Sequence, residues 1–129
     1  MIFIGHRFLP SSSLYHIDEI EDILKTPSGS TVYLLFSENN LDIIEHLRLN
    51  HIPFALEVQN ITELLYSATL GAKYVLSHKE NAKELQGIIE EYLFDLKLLI
   101  HIHNEEEIEE MALLGIDGVV FPSGIVKVA

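Results

Sequence analysis

One pattern, met twice, limits what this chain can fold into. Asn60, Glu63, Leu64, Ala68, Leu70, Gly71 and Val75 match Asn104, Glu107, Ile108, Ala112, Leu114, Gly115 and Val119 at one constant offset. Each set spells a helix start, an apolar face, a stop and a following strand. The second copy, within residues 98–123, is the more complete. Leu98 to Ile102 is a short apolar run that suits a buried, pleated strand. Asn104 with Glu107 three residues on forms a capping box, and Glu105, Glu106 and Glu107 put negative charge where the helix dipole favours it. Ile108, Met111, Ala112 and Leu114 recur at helical spacing. Gly115 is the left-handed stop, Val119 to Phe121 is the next strand, and Pro122 ends it. A strand–helix unit repeated in this way predicts a parallel sheet with right-handed crossovers.

The rest of the chain carries the same alternation more weakly. Residues 1–5 read as a first strand, followed by a turn at Pro10 and Ser11 to Ser13. Leu14, Ile17, Ile20 and Leu24 lie at helical spacing and predict a helix over 14–24, closed by the breaker TPSGS at 26–30. Residues 32–36, 52–58 and 74–76 read as further strands. Asn39 with Asp42 and Asn81 with Glu84 predict helix starts, and Gly87 inside the second of these helices costs roughly 1 kcal/mol relative to Ala. The expectation is a single α/β domain over 1–129, with about six mostly parallel strands alternating with helices. An open, doubly wound sheet suits that length. The alternative is an incomplete (βα)-barrel, since eight units usually need about 250 residues; its exposed edges would need covering, for instance by a second copy.

Charge and composition remove several function classes. The formal charge is −12, from 8 Lys and Arg against 20 Asp and Glu, so nucleic acid is not an expected partner. The acidity reads as a solvated surface. There are no cysteines, which excludes disulfides and thiolate chemistry. No run reaches the roughly 18 apolar residues needed to span a bilayer, and the N-terminus lacks a signal-peptide pattern. The expectation is a cytoplasmic protein that does not enter a membrane and that forms a homo-oligomer.

In parallel α/β folds, sites form at the C-terminal ends of strands. The polar residues collected there include His6, Arg7, Ser37, Glu38, Glu57, His78, His101, His103 and Ser123. His6, Arg7 and His103 are the candidates for acid–base catalysis and anion contact, and Glu57 and His78 for holding a divalent cation. His101 faces the same side as His103, two residues earlier. His16, His46 and His51 read as surface residues. Phosphate-binding glycine loops and a G-x-S-x-G elbow are absent.

Ile4 to Arg7 (IGHR) and residues 97–122 resemble the first strand and the last strand–helix–strand of glycerophosphodiester phosphodiesterase barrels. That resemblance implies a barrel-like fold, an acid–base role for His6 and phosphate contact by Arg7. Phe8 stands where that family has Gly, and Ser37-Glu38-Asn39 replaces its Glu-x-Asp pair, so the resemblance also implies loss of the family's metal site. Residues 52–96 look loosely like the second half of a response-regulator receiver, without its acidic pocket. Two functions follow as expectations. One is a non-catalytic binding or interaction module that self-associates. The other is a degenerate phosphodiesterase-like phosphoester hydrolase, with a strand-end His/Glu site for a small anionic ligand.

Overall fold

The local signals place most elements where expected. The computed structural model describes residues 1–128. It contains β1 (Ile2–Ile4), β2 (Leu14–His16), β3 (Thr31–Leu35), α1 (Leu41–Leu49), β4 (Phe54–Glu57), α2 (Ile61–Leu70), β5 (Tyr74–Ser77), α3 (Ala82–Tyr92), β6 (Lys97–His101), α4 (Glu106–Leu113), β7 (Gly118–Val120) and β8 (Ile125–Lys127). Asn60 caps α2 by accepting from the Glu63 N–H at 2.9 Å, and Glu63 reaches back to the Gln59 N–H at 2.8 Å. Gly71 and Gly115 stop their helices at φ of 90° and 73°. The box before α4 is half made: Glu107 accepts from the N–H groups of His103 and Asn104, while the first helical residue is preceded by Glu105 without a side-chain cap. Asn39 and Asn81 do not cap. Ser37 Oγ instead accepts from the Asn39 N–H, and the Asn81 amide donates to Gln59 O and Ser77 Oγ.

Two short strands raise the number from about six to eight. The helix expected over 14–24 is replaced by β2 and a 3-10 turn at Ile20–Lys25. The Asp22 carboxylate accepts from the N–H groups of Asp18 and Glu19 and tightens that turn. Its apolar spacing therefore serves two different faces, since Leu14 and Ile17 are both buried but in separate clusters. After Pro122 the chain makes one 3-10 turn and resumes as β8.

All ladders are parallel, in the order β1-β7-β6-β5-β4-β3-β2-β8. Side chains alternate along each strand. One set, Val32, Leu34, Leu56, Val75, Leu98, Ile100 and Val119, packs with the helices. The other set, Ile4, Leu14, Tyr33, Ala55, Leu76, Leu99 and Val120 with Ile125, draws one residue from each of the eight strands into a single cluster. A doubly wound sheet would cover that second face with helices. Here the face closes on itself, so the doubly wound expectation is corrected to the barrel-like alternative: an open, curled sheet forming a half-barrel. Accumulated right-handed twist turns the inward side chains towards one another. The Phe121 N–H extends the ladder between β7 and β1 by donating to Ile4 O, and the margins approach just beyond it, where Ser123 Oγ, in the turn leading to β8, donates to Gly5 O. Among the described residues no ladder joins β1 to β8, and no helix is long and apolar enough to cross a membrane.

Candidate functional site

Three neighbouring strands deliver one polar side chain each to the inner face at their C-terminal ends. Glu57 ends β4, His78 follows β5, and His101 ends β6. Each stands three residues before an asparagine, Asn60, Asn81 or Asn104, at the turn into the next helix. Strand alternation sets their direction, because Ala55, Leu76 and Leu99, two residues earlier, face the inner cluster. Register pairs Ser77 with Ile100 and Glu57 with Leu76, so the two histidines share a level and the glutamate rises to them from one inward step below.

Glu57 is the centre of the group. It is 5% exposed, and its Oε1 accepts from Tyr33 Oη at 2.9 Å and from His101 Nε2 at 2.7 Å. Its Oε2 is buried with no hydrogen-bond partner among the described residues; His78 Nε2 lies 3.7 Å away. The His78 and His101 rings stack at 4.9 Å between centroids. Burial, and then the adjacent Glu57 carboxylate, raise the Tyr33 phenol, which keeps it protonated as a donor. His16 meets the Tyr33 ring edge-on and is lowered by burial and by Lys127, against Asp18. Its place at this mouth departs from the surface position expected for it. Lys127 is ion-paired with Asp18.

This arrangement offers two kinds of chemistry. A buried carboxylate that orients an imidazole is the usual device for general acid–base work. Equally, one ligand atom each from Glu57, His78 and His101 lie within 4.8 Å of one another, near enough to share a metal ion.

The other candidates form a second group. His6 is 9% exposed, held edge-on against Phe3, Phe8 and Phe121. Its Nε2 is 3.3 Å from Glu105, which also binds the Arg7 guanidinium at 3.1 Å. His103 lines the same groove of about 360 Å³. Phe3 and Phe121 pack with the helix-side core, so this groove lies outside the curl. The structure thus brings Glu57 and His78 together, and separately His6, Arg7 and His103. Sequence reading named His103, and not His101, among the residues expected to carry chemistry. The missed signal was the shared position three residues before each asparagine; Tyr33, in mid-strand, carried no signal. A further cavity of about 570 Å³ at the other end of the sheet has Lys73 as the one charged residue among its described lining residues.

No family model and no curated protein matches the chain. Among solved structures, it is similar to the N-acetylmannosamine-6-phosphate 2-epimerase from Clostridium perfringens, with a TM-score of 0.60 and 17% identity. The match covers 83% of this chain and 55% of that one, so this chain spans about half the length of that enzyme. The likeness is one of fold, a (βα) half-barrel beside a barrel enzyme. It lends no support to the phosphodiesterase resemblance of the two chain ends.

Proposed function

We propose that this chain is a small barrel-like enzyme domain that carries out acid–base chemistry on a small anionic substrate, with phosphate esters as the first class to test. One observation carries the reading: the buried Glu57 carboxylate, held by Tyr33, contacts His101 at 2.7 Å at the C-terminal mouth of a parallel curled sheet. That is where barrel enzymes assemble their sites. His78 is a second imidazole at the same carboxylate, and Lys127, although ion-paired with Asp18, brings a cation to the mouth. In hydrolysis of a phosphate ester, a base takes a proton from water as its oxygen bonds to phosphorus. An acid returns a proton to the ester oxygen as that P–O bond breaks. The Glu57–His101 pair supplies the proton traffic, and Glu57 orients the ring.

The test is a panel of phosphomonoesters, phosphodiesters and sugar phosphates, the last because the structural neighbour's name gives a sugar phosphate as its substrate. A His101→Gln variant should lose about 10²-fold or more in turnover. Turnover at the parent rate would overturn the reading. Loss in His6→Gln or His103→Gln instead would move the chemistry to the outer groove.

A second reading, a non-catalytic interaction module that self-associates, is favoured by a different surface. Leu41 and Tyr66 are 42% and 55% exposed and, with Phe36 and Leu70, line an apolar groove of about 460 Å³ beside α1 and α2. Sedimentation as a strict monomer at high concentration would remove this reading.

A further inference from the structure

We infer that Glu57, His78 and His101 bind a single divalent transition-metal ion of the zinc class. The inference rests on the reading that this mouth is the functional site; it names a cofactor that would take Glu57 and His101 as ligands in place of their direct proton exchange.

The donor set points to the class. Two imidazole nitrogens and one carboxylate oxygen suit zinc and its transition-metal neighbours, whereas magnesium and calcium prefer oxygen ligands. Three protein ligands leave a fourth position open, the arrangement of catalytic rather than structural zinc sites. The His78 side chain is 59% exposed, so the open position faces the mouth.

The orphaned Glu57 Oε2 is an independent pointer. A buried carboxylate oxygen without a partner is costly and rare, and this one belongs to a residue only 5% exposed. Tyr33 and His101 engage Oε1, which leaves Oε2 directed at His78 Nε2 across 3.7 Å. Two ligand atoms on a tetrahedral zinc, each about 2.0–2.2 Å from it, stand about 3.4 Å apart. That pair is therefore already spaced for a shared ion. The His101 contact, at 2.7 Å, is a hydrogen bond that the ion would replace. Tyr33 does what outer partners of metal ligands do: it fixes the carboxylate's orientation.

The fold supplies a third pointer. The three residues come from consecutive strands β4, β5 and β6, each three residues before an asparagine. A repeated unit thus places one donor per strand on one inward arc.

The test uses the full chain, stripped with a chelator and dialysed. Zn²⁺ is titrated by calorimetry and Co²⁺ by visible absorption, with Mg²⁺ and Ca²⁺ in parallel. One equivalent of Zn²⁺ or Co²⁺ should bind, the cobalt complex showing four-coordinate bands, and Mg²⁺ and Ca²⁺ should not compete. His78→Gln alters an exposed side chain, so the fold survives, and it should weaken binding by more than about 100-fold, as should His101→Gln. Tyr33→Phe, at a positioning residue, should weaken it by about 10- to 100-fold and shift the cobalt spectrum. His46→Gln, on α1, should change nothing. Absence of uptake, or uptake that survives both His78→Gln and His101→Gln, would overturn the inference. Turnover that persists in chelator but fails in His101→Gln would remove the metal and leave the acid–base reading standing. Stoichiometric Zn²⁺ uptake without turnover of any ester would do the reverse.

Discussion

Glu57 and His101 lie 44 residues apart and meet at 2.7 Å across the inner face of the sheet, with β5 running between their strands. Their separation in sequence equals the offset between the two repeated strand–helix units, so they occupy the same place in each. On a flat sheet the backbones of two such strands would stand about 10 Å apart, given spacings near 4.8 Å. Curling brings the side chains into contact. The candidate site is in this sense a product of the sheet's curvature.

Tyr33→Phe tests how much the carboxylate depends on its phenol. The change keeps the ring and removes one donor to a buried charged group, a loss of about 1.5–3 kcal/mol. Urea unfolding should show a lower midpoint at unchanged slope. A midpoint equal to the parent's would mean that Glu57 finds another donor.

The glycines divide by their surroundings. A Cβ on Gly5, at φ 81°, would stand 2.4 Å from Gly124 N, and one on Gly118 would stand 2.6 Å from Leu99 Cδ2 and 2.8 Å from Ile2 O. Gly5→Ala and Gly118→Ala should each cost about 1–3 kcal/mol or more. Nothing in the structure explains Gly87, whose Cβ would meet open space. Gly87→Ala should stabilise α3 by about 0.5–1 kcal/mol. Thermal unfolding of the three variants reads both signs, and a destabilised Gly87→Ala would contradict the account.

Glu107 links acid stability to the turn that carries His103. The backbone N–H of His103, with those of Asn104 and the Lys79 ammonium, holds its carboxyl below the usual glutamate range. A group bound more weakly by protons when folded adds stability above its unfolded value, and that stability is lost as pH falls through the folded one. Glu107→Gln should therefore flatten the acid side of a stability–pH profile measured by urea midpoints. An unchanged acid limb would show that Glu107 contributes nothing there.

His16 acts in a higher window. Burial foremost, and then Lys127, lower it, so the unfolded chain takes up its proton first. Stability from this group is complete above the ordinary histidine value of about 6.5 and declines as pH falls through it towards the folded value. His16→Asn should remove that part of the slope, and a proton NMR titration of the parent should place His16 below the ordinary histidine value of about 6.5. An equal or higher value would refute the assignment.

Much of the fold was legible because its signals are local. The cap at Asn60, the stops at Gly71 and Gly115 and the apolar run at 98–102 work within a single turn or strand, and the structure keeps them. The misread stretch, 14–24, failed because Leu14 and Ile17 share a helical spacing while serving opposite faces of the sheet. Of the site, Glu57 and His78 were legible as strand-end polar residues. His101 was passed over in favour of His103, although both sit on the same side of an ideal strand. The strand ends at His101, and the turn beyond it carries His103 to the outer groove.

What the chain determines by itself is the βα unit: where a strand ends, where a helix begins and stops, and that the strands run parallel. Tertiary structure alone decided that the sheet curls, and with it which groups meet. Caps and periodicities are written within a few residues, whereas curvature is the sum of small twists over eight strands. Parallel strands are apolar on both faces, so their sequence does not say which face will close inward. The meeting of Tyr33, Glu57, His78 and His101 depends on that choice of face and on the register of four strands together.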